Sequence, residues 1–214
     1  SSPFFTNKGV YIMSKNLFSL LLILIYGLGI WLSDTLTQEH ISFKLGDLSD
    51  HGICAVSQLF SCKAAAASMY SNIGGLPIAV IGEAYYLMAL LLVICVIFCS
   101  ASKREEFYRY LGATSIVGAV YSIFLGTVSA LDLGFLCPLC MGLYAVNLLI
   151  CFIFYKKSYI QRNDWLPMFK RSATWFAIIL MLASLMGTQG VYAMRYQKAF
   201  DKAKRAMKKK VPPK

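Results

Sequence analysis

Five long apolar stretches dominate this chain, at residues 17–33, 76–100, 110–131, 138–155 and 174–192. Each has the roughly 17–25 residues that an α-helix needs to cross a hydrocarbon layer about 30 Å thick. In a bilayer no water is available to unpaired backbone groups, so each stretch must satisfy its own N–H and C=O groups as a helix. Composition agrees: 58% of the 214 residues are apolar and 14% are charged, against about 25% charged in a soluble domain. These residues predict an all-α integral membrane protein. They exclude a soluble enzyme, a disordered tail, and nucleic-acid binding as the reason for the +11 charge.

Lys and Arg set an orientation, because an excess of them marks the cytoplasmic side. With the N-terminus cytoplasmic, ten fall on that side: Lys8, Lys15, Lys103, Arg104, Arg109, Lys156, Lys157, Arg162, Lys170 and Arg171. The opposite connections carry only Lys44 and Lys63. The loop 34–75 and the turn 132–136 are therefore expected to face the outer compartment. Nine further basic residues between Arg195 and Lys214 argue against this scheme, since by parity they also fall outside. The start Met13-Ser14-Lys15-Asn16 is basic like that of a signal peptide, but no small-residue cleavage site follows, so the first stretch is expected to remain as a span. Met13 reads as an initiator and residues 1–12 as an expression remnant. The expected organisation is a cytoplasmic segment 1–16, a four-helix unit 17–155 with its outer loop 34–75, a cytoplasmic connection and fifth span at 156–195, and a basic tail 196–214.

Seven cysteines divide by position. Cys95, Cys99 and Cys151 lie within spans, where a free cysteine behaves as a small apolar residue. Cys54, Cys62, Cys137 and Cys140 lie on the outer side. Cys137-Pro138-Leu139-Cys140 opens a helix: Pro138 suits the first helical position, which puts Cys137 near the N-cap and Cys140 at the end of the first turn. Unpaired N–H groups and the positive end of the dipole favour a thiolate there, and thiolate character controls disulfide exchange. Cys54 and Cys62 sit in a loop far longer than the roughly 12–15 residues of ordinary connections. The functional reading is a relay of two dithiol pairs, one in the loop and one at the membrane surface. One alternative is a permanent Cys54–Cys62 staple, as outer compartments allow. Another is a zinc site of four sulfurs, although the Cys54–Cys62 spacing is wider than the usual gap of about two to four residues. No metal is expected. Met141 after Cys140 removes the C-x-x-C-H haem pattern and no dinucleotide fingerprint is present, so by exclusion the electron partner is a lipid-soluble quinone.

Cys54-x7-Cys62, Ser68, Gly75-x-Pro77, Gly82, Cys137-Pro138-Leu139-Cys140 and Tyr144-Ala145-Val146-Asn147 together resemble the vitamin K epoxide reductase family, including its bacterial homologues. The resemblance covers about 140 residues. It implies four transmembrane helices around a quinone site, with a fifth helix beside them and a redox loop above. Carried over residue by residue, Cys54 would meet a soluble thioredoxin-like partner, Cys62 would exchange with Cys137, and Cys140 would face the quinone. Ser68 matches the loop serine near the centre, and Tyr144 would turn its hydroxyl towards a quinone carbonyl. Ala55 and Ile78 depart from the family, which commonly has an acidic residue and an Asn at those places. Glu83, a carboxyl about two turns into the second span, is a further quinone-site candidate, because acids within membranes are costly and are read as functional by default. The bland alternative is an acid reaching water near the interface.

In the tail, Tyr196, Ala199, Phe200, Ala203, Ala206 and Met207 recur at helical spacing among Lys and Arg. An amphipathic basic helix continuing from the fifth span is expected, of the kind that meets anionic lipid. Val211-Pro212-Pro213-Lys214 reads as a stiff linker, and a thioredoxin-like domain fused beyond it is one form the partner could take. The function expected is a quinone-dependent thiol oxidoreductase. It would generate protein disulfides with reduction of ubiquinone, menaquinone or vitamin K, in a bacterial inner membrane with its site facing the periplasm. Two alternatives stand beside it: a vitamin K epoxide or quinone reductase running in reverse, and a non-enzymatic membrane protein with a structural loop disulfide.

Overall fold

The computed structural model describes residues 15–46, 54, 61–157 and 172–210. The expectations for Met13 and the residues before it, for Ala55, for most of the cytoplasmic connection and for the Val211–Lys214 linker lie outside them. The chain forms α1 (Lys15–Lys44), α2 (Cys62–Ala67), a hairpin of β1 (Asn72–Ile73) and β2 (Leu76–Pro77), α3 (Ile78–Phe98), α4 (Ala101–Val128), α5 (Pro138–Lys156) and α6 (Ser172–Lys210). Five helices, α1 and α3 to α6, are long and apolar enough to span a membrane. This is an all-α membrane fold with one small hairpin.

The apolar face that a soluble protein would hide points outward. On α1, Leu17, Leu20, Leu24, Leu28 and Trp31 are all about half exposed or more and recur at intervals of three and four residues. They form one stripe, as expected of a helix side whose solvent is lipid. The opposite side of α1 packs chiefly on α3. Gly29 permits the closest approach: a Cβ there would come within 2.6 Å of the Tyr86 ring. At the end of the bundle away from the redox cysteines, Phe18, Tyr108 and Phe154 form an edge-packed ring cluster with centroids 5.4–6.4 Å apart.

Three boundaries differ from the sequence expectation. First, α1 runs on to Lys44, so the first quarter of the expected loop 34–75 is helix. Residues 34–44 contain no Gly or Pro, and their polar side chains bond along the helix: Gln38 Nε2 donates to Asp34 Oδ2 at 2.8 Å, and Ser42 Oγ to the Gln38 carbonyl at 3.1 Å. Second, α3 starts at Ile78, not at Leu76. Leu76 and Pro77 pair instead with Ile73 and Asn72, across Gly74 and Gly75 at φ of 58° and 85°, the two positive values that a tight type I′ hairpin turn demands. Third, α4 begins at Ala101, nine positions before the apolar stretch, and an Arg109–Glu105 pair at 2.8 Å supports this polar first part.

The fifth span turns back towards the cysteines. Phe176, near the start of α6, packs on Phe107 with centroids 6.1 Å apart, whereas Arg195 pairs with Asp34 in the far half of α1. Since α6 is uninterrupted to Lys210, the basic turns prolong the spanning helix at the cysteine end of the bundle. α6 crosses the bundle once, so its basic turns lie on the side where parity puts them, and their charge still opposes the orientation expected from the earlier Lys and Arg.

Candidate thiol and quinone site

The redox cysteines converge because three short devices hold them. Ser61 caps α2, its Oγ accepting from the Ala64 N–H at 3.0 Å. The Ser61 N–H donates to the Leu136 carbonyl at 3.1 Å, which stitches α2 to the residue preceding Cys137. After α4, a wide turn over Ser129–Leu133 ends at Gly134 with φ of 68°, and Ser129 Oγ donates to the Phe135 carbonyl at 2.7 Å. The chain is thereby delivered to α5 with Cys137 as its N-cap and Pro138 in the first turn.

Cys54 and Cys62 form a disulfide, while Cys137 and Cys140 are free thiols. The Cys137 sulfur lies 3.7 Å from that of Cys62 and accepts from the Cys140 N–H at 3.2 Å. A helix N-terminus with an amide directed at sulfur stabilises negative charge there. Cys54, Cys62 and Cys137 are each no more than 2% exposed, so exchange among them proceeds away from bulk water. Beside Cys62, the buried Lys63 ammonium meets Glu39 Oε2 of α1 at 3.1 Å. This ion pair ties α2 to the polar extension of α1.

Two cavities meet at the C-x-x-C. A small one of about 80 Å³ is lined by His40, Ser68, Cys137, Cys140 and Tyr144 among others. A larger one of about 360 Å³ runs into the bundle from Cys140 and Tyr144 past Tyr86, Tyr121 and Asn147 to Tyr85 and Tyr110. Small-molecule sites span roughly 300–1,000 Å³ and combine apolar walls with a few polar groups. The flat ring of a quinone fits this second cavity, whose walls are mostly aliphatic and tyrosine side chains with a few polar groups such as Asn147 and Ser122. When bound, a quinone supplies the capacity to accept two electrons and two protons.

One polar chain crosses the larger cavity's wall. Tyr86 of α3 donates to Asn147 Oδ1 at 2.7 Å, and Asn147 Nδ2 donates to Ser122 Oγ of α4 at 2.8 Å. A single asparagine near the middle of α5 therefore joins α3, α4 and α5. Cys140, Tyr144 and Asn147 stand at i, i+4 and i+7 on α5, one face of one helix.

Of the residues singled out from sequence, the structure brings Cys54, Cys62, Cys137 and Cys140 together, with Ser68 and Tyr144 lining the small cavity. Ser68 Oγ donates to the Ala65 carbonyl at 2.8 Å and so closes the end of α2. Tyr144 faces both cavities. Glu83 lines neither; it lies within electrostatic reach of Asp34 and Arg195, at the junction of α1, α3 and α6. His40, Lys63, Tyr86 and Ser122 were not singled out. The Tyr85-Tyr86 pair in an otherwise aliphatic span was the signal available for the polar chain, but nothing in the sequence tied His40 to the cysteines. Among the described residues no group of three or more His, Cys, Asp or Glu is gathered as a metal would require, and two of the four sulfurs of the zinc alternative are committed to a disulfide.

Comparison with curated proteins gave no match. The family model described as the vitamin K epoxide reductase family matches residues 20–155, the stretch holding α1 to α5 and all four redox cysteines. That is more than half of the chain, and it places this protein in the vitamin K epoxide reductase family, as a membrane oxidoreductase.

Proposed function

We propose that the protein oxidises thiols of a soluble thioredoxin-like partner, or fused domain, and passes the electrons to a quinone, so that protein disulfides form. The Cys54–Cys62 disulfide, at most 2% exposed here, must first become accessible; a partner thiolate then attacks it and leaves as a disulfide, with both loop cysteines reduced. Cys62 then attacks Cys137 of an oxidised Cys137–Cys140 pair, and Cys54 resolves the mixed disulfide. This restores Cys54–Cys62 and leaves Cys137 and Cys140 as thiols. Those two thiols give two electrons and two protons to ubiquinone or menaquinone held in the larger cavity, with Tyr144 in its wall. The observation that carries this reading is the 3.7 Å separation of the Cys62 and Cys137 sulfurs, which lets exchange occur without a large movement.

The ten Lys and Arg of the far-side segments up to Arg171, against Lys44 and Lys63 beside the cysteines, support a site facing the periplasm of a bacterial inner membrane, with the basic turns of α6 as the exception. Anionic lipid head groups are the ready partners of any basic turns of α6 that stay near the membrane surface. Trapping thiols in growing cells tests the relay. Mixed disulfides between Cys54 and soluble proteins, together with a Cys62–Cys137 species, are expected. A protein found only with Cys54–Cys62 bonded, and with Cys137 and Cys140 never oxidised, would refute it.

A further inference from the structure

Among the described residues lining the small cavity, His40 is the one with a buried polar side-chain atom that has no hydrogen-bond partner. It lies in the helical extension of α1 and is 4% exposed, and its Nε2 is buried with no hydrogen-bond partner. It lines the small cavity together with Cys137 and Cys140. The serine hydroxyls there and that of Tyr70 are committed. Ser68, Ser71 and Ser129 donate to the carbonyls of Ala65, Ala66 and Phe135, and Tyr70 donates to Asp132 Oδ2 at 3.3 Å. A buried imidazole nitrogen with nothing to bond is costly unless something occupies the space in front of it. A cavity of about 80 Å³ has room for several waters, since one water needs only about 10–15 Å³ of such space.

Disulfide exchange at Cys137 needs a place for a proton. The step is Cys54–S⁻ plus Cys62–S–S–Cys137 going to Cys54–S–S–Cys62 plus Cys137–S⁻. It conserves electrons among the sulfurs, but a Cys137 thiolate must then gain a proton, and in the reverse direction lose one. The charged groups about His40 are Lys44 and Glu39 on its own helix and Lys63 on α2, and the latter two are paired with each other at 3.1 Å. The titratable groups facing the cavity are Cys137, Cys140 and Tyr144 of α5 and Tyr70. An ordinary tyrosine titrates near 10, whereas a neutral imidazole can take a proton at one ring nitrogen and release one from the other.

We propose that His40 relays the proton that Cys137 gains and loses during exchange with the loop, passing it through water in the small cavity. His40 is then a positioning residue for a proton and does not touch sulfur itself. The idea rests on the disulfide-relay reading above. The test uses the full chain with a dithiol reductant and ubiquinone, compared across pH. His40→Gln and His40→Asn should each slow turnover near neutral pH by about tenfold or more, within the range of general acid–base effects. The loss should shrink at high pH, where Cys137 ionises unaided, and added imidazole should restore part of the rate to His40→Asn. A folded variant with the wild-type rate and pH profile would overturn the proposal. Should both variants fail to fold, ¹⁵N-imidazole spectra of a His51→Asn protein, in which His40 is the remaining histidine, decide. The ring signal is expected to differ between the reduced and disulfide forms of Cys137–Cys140, and an unchanged signal would overturn it. Wild-type protein unable to oxidise the dithiol at all would instead bring down the relay reading on which the proposal stands.

Discussion

The sulfur of Cys137 sits 3.7 Å from that of Cys62 while accepting the Cys140 amide at 3.2 Å. One atom is thus the helix N-cap, a stabilised nucleophile and the neighbour of a disulfide. If exchange runs through it, removing the thiol that resolves the mixed species should strand it. In Cys54→Ala, a Cys62–Cys137 disulfide is expected to accumulate, read by mass spectrometry of non-reduced peptides. Finding Cys62 only as a free thiol would mean that the two sulfurs do not react.

The Lys63–Glu39 pair should set how firmly α2 is held. Its side chains are 5% and 20% exposed. Breaking it should therefore cost on the order of 1–3 kcal/mol, less than the roughly 3–5 kcal/mol of a wholly buried pair. Lys63→Met is expected to speed proteolysis near residues 61–71 and to slow exchange, and the charge-reversed double variant Lys63→Glu with Glu39→Lys should recover part of both.

Asn147 should matter to shape as well as to binding. Replacing it with Leu removes the hydrogen bonds from Tyr86 and to Ser122, each worth about 0.5–1.7 kcal/mol in membrane helices. Melting should fall, and the KM for quinone should rise more than the rate of Cys137 alkylation changes. Gly29→Ala should act on the same chain from its other side, because its Cβ would press on the Tyr86 ring.

Glu83 should prove structural. Its surroundings are Asp34 and Arg195, so Glu83→Gln is expected to leave quinone turnover unchanged across pH. Arg195→Ala, which leaves Asp34 without its ion-pair partner, should lower the melting temperature by a few degrees, the scale of about 1 kcal/mol in a chain of this size. A loss of turnover in Glu83→Gln without a change in melting would place the carboxyl in the proton path after all.

Much of the fold was legible because the bilayer leaves few choices. The stretch 138–155, apolar and opened by the Cys137-Pro138 step, reads as a span with a defined start, and α5 is found there. The helix ends were less legible. Residues 34–44 are polar enough for a loop, yet they continue α1 because nothing among them breaks a helix. The four redox cysteines stood out through their spacing and their relation to a helix N-terminus. Tyr86, Ser122 and His40 did not, since their roles depend on which helices lie side by side, and single polar residues within apolar stretches carry no periodic signal of that. An acid within a span such as Glu83 invites a functional reading, and only the structure shows that it lies within electrostatic reach of Asp34 and of Arg195, on a helix more than a hundred residues away.

The account is tested most directly by following quinone absorbance when a reduced thioredoxin-like protein is added to the purified chain. Absorbance should fall by one quinone per partner disulfide formed, and the loss should vanish in Cys137→Ser and Cys140→Ala. Quinone consumption that persisted without Cys140, or wild-type protein that formed disulfides without consuming quinone, would contradict it.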